Sequence, residues 1–201
     1  MICVLTKTQS EIMKIFASRI TERFSIKKIS ELLKKPYPLV HRSAKGLIQK
    51  GFLLRDKQNF LSLNYKQNHA VIAYMESLRK EEFLRKNKTL SLFVKDVLER
   101  IKLDFFVFLV FGSSAGGSLR PRDVDILMII GDKTKIGSIE KVLHNVASNL
   151  SMAFDINVIS TESSYEMLSK REEPNIMNET LDNHIIFFGA ENYYRLLKNA
   201  R

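Results

Sequence analysis

The sequence predicts an α+β chain: an N-terminal helical unit closed by a short hairpin, a helical connector, and a C-terminal unit around a small mixed sheet. Three observations predict it. Apolar residues recur at three- and four-residue steps through most of the first half, and a polar loop separates two short apolar runs at residues 52–63. Further on, the continuous apolar runs Phe105–Phe111 and Ile126–Ile130 read as buried strands. At 201 residues, with 45% hydrophobic content, the chain can bury one good core or two small ones. Two small domains is the expectation.

From Thr8 to Phe24 the apolar positions Ile12, Ile15, Phe16, Ile20 and Phe24 describe an amphipathic helix, with Thr8 as N-cap and Glu11 completing a capping box. A second helix over 27–35 carries Ile29, Leu32 and Leu33 and stops against Pro36-Tyr37-Pro38. A third begins at Pro38, places Leu39, Val40, Ala44, Leu47 and Ile48 in the core, and ends at Gly51. Phe52-Leu53-Leu54 and Phe60-Leu61-Ser62-Leu63, joined by the polar tip 55–59, form a hairpin.

This order resembles a winged helix-turn-helix over about residues 8–64. In that architecture the helix after the turn enters the major groove and the hairpin touches the backbone beside it. Tyr37, His41, Arg42, Lys45 and Gln49 remain on the outer face of the third helix, flanked by Lys50, Arg55 and Lys57. They are suitable donors to phosphates and base edges. Charge agrees with this assignment. Residues 1–64 hold 13 Lys/Arg against 4 Asp/Glu (+9), residues 65–103 hold 9 against 5 (+4), and residues 104–201 hold 10 against 13 (−3). The basic part suits a polyanion such as double-stranded DNA or another nucleic acid; the acidic part does not.

Residues 65–103 show helical periodicity interrupted near Lys86-Asn87-Lys88. The second segment, Leu90 to Ile101, is expected to pack on the C-terminal sheet. The first carries more apolar surface around Met75 and Leu78 than a linker requires, and a homodimer is one way to cover it. The organisation expected is therefore a DNA-binding domain over 1–64, a helical linker over 65–87 and a third unit over 88–201.

In that third unit, the strand ending at Phe111 runs into Gly112-Ser113-Ser114-Ala115-Gly116-Gly117, small residues that leave room for a phosphate to approach the backbone. Asp123-Val124-Asp125 then opens the next strand, where alternation puts both aspartates on one face. Such a pair repels unless a cation compensates it, and Mg²⁺, which takes carboxylate and phosphate oxygens together, is the expected occupant. A strand over 152–159 sets Asp155 opposite in facing to Phe154, Ile156 and Val158. Its carboxylate is placed to help bind metal or to accept a proton from an attacking hydroxyl.

GSSAGGSLRPRDVDILMII, followed by DINVIS and the tail HIIFFGAENYYRLLK, resembles the DNA polymerase beta-type nucleotidyltransferase superfamily, especially its minimal members, over roughly residues 88–200. The resemblance implies a small mixed-sheet nucleotidyltransferase domain. It also implies that Gly112 and Ser113 hold the phosphates of an NTP, with ATP the first choice, and that Asp123, Asp125 and Asp155 form a metal-binding, catalytic triad. Many small members carry Arg or Lys where Gly116 stands and Ser where Arg122 stands, with a slightly longer loop. Arg120 and Arg122 are close enough in sequence to replace the missing base at the nucleotide. The implied reaction transfers a nucleoside monophosphate to a hydroxyl of an unidentified acceptor. The alternative is a DNA-binding transcriptional regulator whose C-terminal domain senses nucleotide or supports dimerisation without turnover.

Other chemistries find no footing. Cys3 is the only cysteine, so a disulfide framework and a cysteine metal site are excluded, and the chain suits a reducing, cytoplasmic setting. The longest apolar run is too short to span a bilayer. His41, His69, His144 and His184 show no paired ligand spacing, and no GKS, GxGxxG or GxSxG motif occurs. Lys170 to Glu173 reads as a solvated helix end, and Tyr193 and Tyr194 as packing residues.

Overall fold

The computed structural model describes residues 5–116 and 123–200. Thr6 opens α1 (Lys7–Ser18): its hydroxyl accepts from the Gln9 amide while the Gln9 side chain accepts from the Thr6 amide. The capping box thus lies two residues before the one the sequence suggested, because Glu11 is taken by Lys35. The helix also ends at Ser18, short of the expected Phe24. Ile20 and Phe24 remain buried, with Phe24 forming an antiparallel bridge to Leu61. Ser25 caps α2 (Ile26–Leu33), and Lys34 turns the chain in the left-handed region into α3 (Tyr37–Gln49). Gly51, at φ 73°, releases the chain into the antiparallel hairpin β1 (Leu53–Arg55) and β2 (Leu61–Leu63).

One core assignment in α3 fails. Val40, Ala44 and Leu47 are fully buried and Ile48 half-buried, but Leu39 is 41% exposed. Adjacent residues on a helix point about 100° apart, and Val40 takes the inward direction.

The connector is two helices, α4 (His69–Lys86) and α5 (Lys88–Arg100), broken at Asn87. A four-stranded sheet follows, made of β3 (Phe106–Phe111), β4 (Val124–Ile130), β5 (Phe154–Ser160) and β6 (His184–Phe188), in the order β5-β4-β3-β6. β3 runs antiparallel to both β4 and β6, whereas β4 and β5 are parallel. The four-residue turn of helix α6 (Gly112–Ala115) lies between β3 and β4. A parallel pair needs a crossover, and α7 (Ile136–Ala147) supplies it between β4 and β5. Three further helices, α8 (Thr161–Ser169), α9 (Ile176–Glu179) and α10 (Ala190–Asn199), complete the order.

Alternation divides the sheet between two cores. Phe106, Phe108, Val110, Ile126 and Met128 pack with α5 and α7, as expected for the second connector segment. Val107, Leu109, Leu127, Ile129 and Ile186 face a second cluster that continues through α10 and Met75 of α4 into Ile12, Phe16 and Leu47 of the N-terminal helices. The apolar side of α4 is therefore covered within the chain, by α1, β6 and α10. The surplus apolar surface that suggested a partner copy is accounted for. Backbone bonds lock the junction: the Ile20 amide donates to the Leu181 carbonyl at 3.0 Å and the Asn183 amide to the Ser18 carbonyl at 2.9 Å. Among the described residues, no helix is long and apolar enough to cross a membrane.

Candidate functional site

The acidic residues gather at one end of the sheet. Asp125, near the start of β4, pairs in register with Asp155 on β5 and with Phe111 on β3, which in turn pairs with His184 on β6. Residues in one such row point to one face, and adjacent strands lie about 4.8 Å apart. Asp125 and Asp155 are therefore neighbours on the face that meets the N-terminal unit. Asp123 stands just before β4, its backbone carbonyl accepting the Ser114 hydroxyl at 2.9 Å. Asp125 is half-buried and Asp155 exposed, the latter accepting from the Asn157 side chain at 3.4 Å.

Gly112 adjoins the same carboxylates. Its φ of 66° lies in the region that favours glycine, and a Cβ there would stand 2.6 Å from Asp125 Oδ2. The backbone thus approaches the acid where a side chain would collide. Ser113 is exposed, and Ser114 is buried and spent on Asp123. Gly116 has an ordinary φ of −73°, and a Cβ on it would meet nothing nearer than 3.5 Å. Arg120 and Arg122 lie outside the described residues.

Burial raises the Asp125 carboxyl above its ordinary range, and the charges of Asp123, Asp155 and Glu179 raise it further. Glu179, the last residue of α9, was not legible as part of this site because nothing in its own segment marks it. The donor chemistry of this group, all carboxylate oxygen, suits a hard divalent cation. Among the described residues, however, no three His, Cys, Asp or Glu side chains are already arranged to hold a metal ion.

On the N-terminal unit, Tyr37, His41, Arg42, Lys45, Gln49, Lys50, Arg55 and Lys57 are all exposed. Tyr37 stacks on His41 with ring centroids 6.0 Å apart, and Arg55 bonds to Asn59 across the hairpin tip. The face is open and cationic.

Between the two units lies a buried polar cluster that sequence reading did not find. Glu76 of α4 is fully buried. It accepts from Arg79 at 2.6 Å and from the Tyr194 hydroxyl at 2.8 Å, and lies 3.2 Å from His184 Nε2. Arg79 also donates to the His184 carbonyl. Burial pushes the Glu76 carboxyl up, but Arg79, His184 and Tyr194 together outweigh it, and the net direction is down. Tyr194 moves the opposite way, well above the ordinary phenol, through burial and the adjacent Glu76. Tyr193 donates to the Thr180 carbonyl at 3.0 Å. Both tyrosines pack as expected and also fix α10 to its surroundings.

No family model matches the chain, and neither curated proteins nor solved structures yield a match.

Proposed function

We propose that the C-terminal unit is a Mg²⁺-dependent nucleotidyltransferase, moving a nucleoside monophosphate from an NTP, ATP by first choice, to an acceptor hydroxyl. The observation that carries this reading is the row in which Asp125 stands beside Asp155 while the Gly112 backbone presses against the Asp125 carboxylate. Carboxylates on adjacent strands beside a glycine-opened turn supply the two things the reaction needs: oxygen ligands for a cation and close approach for phosphates.

When bound, Mg²⁺ would offset the charge of the phosphates and polarise the one under attack. Asp123 and Asp125 would hold it through their carboxylate oxygens. Asp155, more exposed than Asp125, is the acid placed to accept the proton of the incoming hydroxyl. Gly112 and Ser113 line the phosphate side, with Arg120 and Arg122 assigned to the nucleotide by sequence proximity alone. The helix-turn-helix and hairpin, read as a winged helix, would bring the enzyme to nucleic acid through the exposed cations of α3 and the hairpin tip.

The deciding experiment incubates the full chain with labelled NTPs and Mg²⁺ in cell extract and asks which molecule gains label. Asp123→Ala with Asp125→Ala should abolish labelling and Mg²⁺-dependent NTP binding; unchanged binding in that double variant rejects the site. The absence of a preassembled metal group among the described residues favours a second reading, a DNA-binding regulator that senses nucleotide without turnover. DNA binding that responds to NTP, with no labelled product, would select it.

A further inference from the structure

A cleft of about 840 Å³ opens where α1, α4 and α6 meet. Its volume falls in the range of small-molecule sites. Arg79, Phe83 and Lys86, spaced four and three residues apart, lie along one face of α4 with the half-buried Phe83 ring between the two cations. Lys14 and Ile15 line the cleft from α1; Glu11, held by Lys35, and Glu82 line it as well. Arg79 is only 8% exposed and held from behind by Glu76 and the His184 carbonyl, so its charge is fixed at the cleft before any ligand arrives. Lys14 is paired with Glu82, while Lys86 pairs with no carboxylate among the described residues.

We infer that this cleft is a second ligand site, one that takes a nucleoside phosphate without a metal ion. The base lies against Phe83, and the phosphates face Lys14, Arg79 and Lys86. The Phe83 ring between the fixed Arg79 and Lys86 offers a surface for a base and cations for its phosphates together, and guanidinium and ammonium groups bind phosphate oxygens directly. The site is distinct from the acidic row, since none of Asp123, Asp125, Asp155 and Glu179 lines the cleft. Gly112, at the start of α6, packs against Asp125, whereas Ser114 and Ala115, at its end, line the cleft. The two sites are nonetheless joined, since the Ser114 hydroxyl holds the Asp123 backbone. An occupant would touch α1 of the N-terminal unit and the turn that carries Gly112 at once.

The test is isothermal titration of ATP into the full chain in EDTA, which removes any contribution of a metal-dependent site. Saturable one-site binding is expected. Lys86→Glu, at an exposed position, and Lys14→Gln should each weaken it at least tenfold with unchanged circular dichroism, while Asp123→Asn with Asp125→Asn leaves it intact. No binding in EDTA, binding indifferent to both lysine changes, or loss in the aspartate double variant would overturn the inference. Because the readout is metal-free, its failure leaves the transferase reading standing, and Mg²⁺-dependent labelling can fail without touching this site.

Discussion

Gly112 and Asp125 are in backbone-to-carboxylate contact, so close that a methyl group on the glycine would stand 2.6 Å from Asp125 Oδ2. Gly112→Ala therefore introduces two penalties: a non-glycine residue at φ 66°, and a collision with a half-buried acid. A destabilisation of about 1–3 kcal/mol is expected. Urea denaturation should show a lower midpoint with an unchanged slope, and NTP binding in Mg²⁺ should be lost even where the fold is retained. Full NTP binding in this variant would mean that the close approach has no part in the site.

Asp125 should also govern how stability responds to acid and to Mg²⁺. Its carboxyl is raised by burial and then by Asp123, Asp155 and Glu179, so the folded state holds the proton more tightly than the unfolded chain. The sign follows: ionised Asp125 destabilises the fold above the raised value. The penalty fades as pH falls through that value and is gone below the ordinary 3.8. Asp125→Asn is expected to raise Tm at neutral pH without metal, with the advantage shrinking in the acid range. MgCl₂ should raise the Tm of the natural chain and leave that of Asp125→Asn unmoved. A scanning fluorimetry series in pH and MgCl₂ reads both effects.

Glu76 is fully buried and Arg79 only 8% exposed, at the cleft, so removing one partner leaves the other charge largely without compensation. Glu76→Gln should cost about 3–5 kcal/mol. Adding Arg79→Met to it should recover a large part, since neither charge then remains buried. Because Glu76 is held below the ordinary carboxylate range, its contribution is present above that range and lost as pH falls through the lowered folded value. A double-mutant cycle by chemical denaturation, run at neutral and acid pH, measures the coupling and its direction.

Local pattern was sufficient where one face decides an element, and insufficient where distant chain does. Phe106 to Phe111 and the alternation around Asp155 are legible because burial on both faces, or on one, imposes a period the sequence displays. Two threonines, Thr6 and Thr8, both satisfy the capping-box spacing, and the choice is made by Lys35, which engages Glu11 from α2. Leu39 and Val40 are adjacent and equally apolar, so only packing decides which is inside. Glu76 and Arg79 look like a solvated helical pair. They are buried because His184 and Tyr194 arrive from 108 and 118 residues beyond Glu76. For the same reason, the helix that looked short of a partner finds its cover within the chain, and Glu179 joins the acidic row through the tertiary fold alone.

If the α3 face binds duplex DNA, phosphate neutralisation sets the salt dependence. Arg42 and Lys45 are exposed on the same helix, and neither forms an ion pair among the described residues. Arg42→Ala with Lys45→Ala should weaken binding across sequences and lower the slope of log K against log salt by about 2, one for each lost phosphate contact. Fluorescence anisotropy with duplexes of unrelated sequence at several salt concentrations gives both numbers. An unchanged slope would place the DNA contacts elsewhere.

Gly116 offers a gain-of-function test of the resemblance to minimal nucleotidyltransferases, where Arg or Lys is common at this position. The backbone there is ordinary, with φ −73°, and the nearest atoms to a Cβ at this position would be the Gly112 and Ser113 carbonyl oxygens at 3.5 and 3.7 Å, normal contact distances. Gly116→Arg should therefore fold as the natural chain does, with a stability change within about 0.5 kcal/mol. A guanidinium at this exposed position, on the turn that begins at Gly112, adds a charge-assisted donor for phosphate. NTP affinity in Mg²⁺ is expected to rise several-fold in Gly116→Arg and not in Gly116→Gln, which extends a similar stem without charge. Equal affinities for the two variants would show that the phosphates lie beyond reach of this turn.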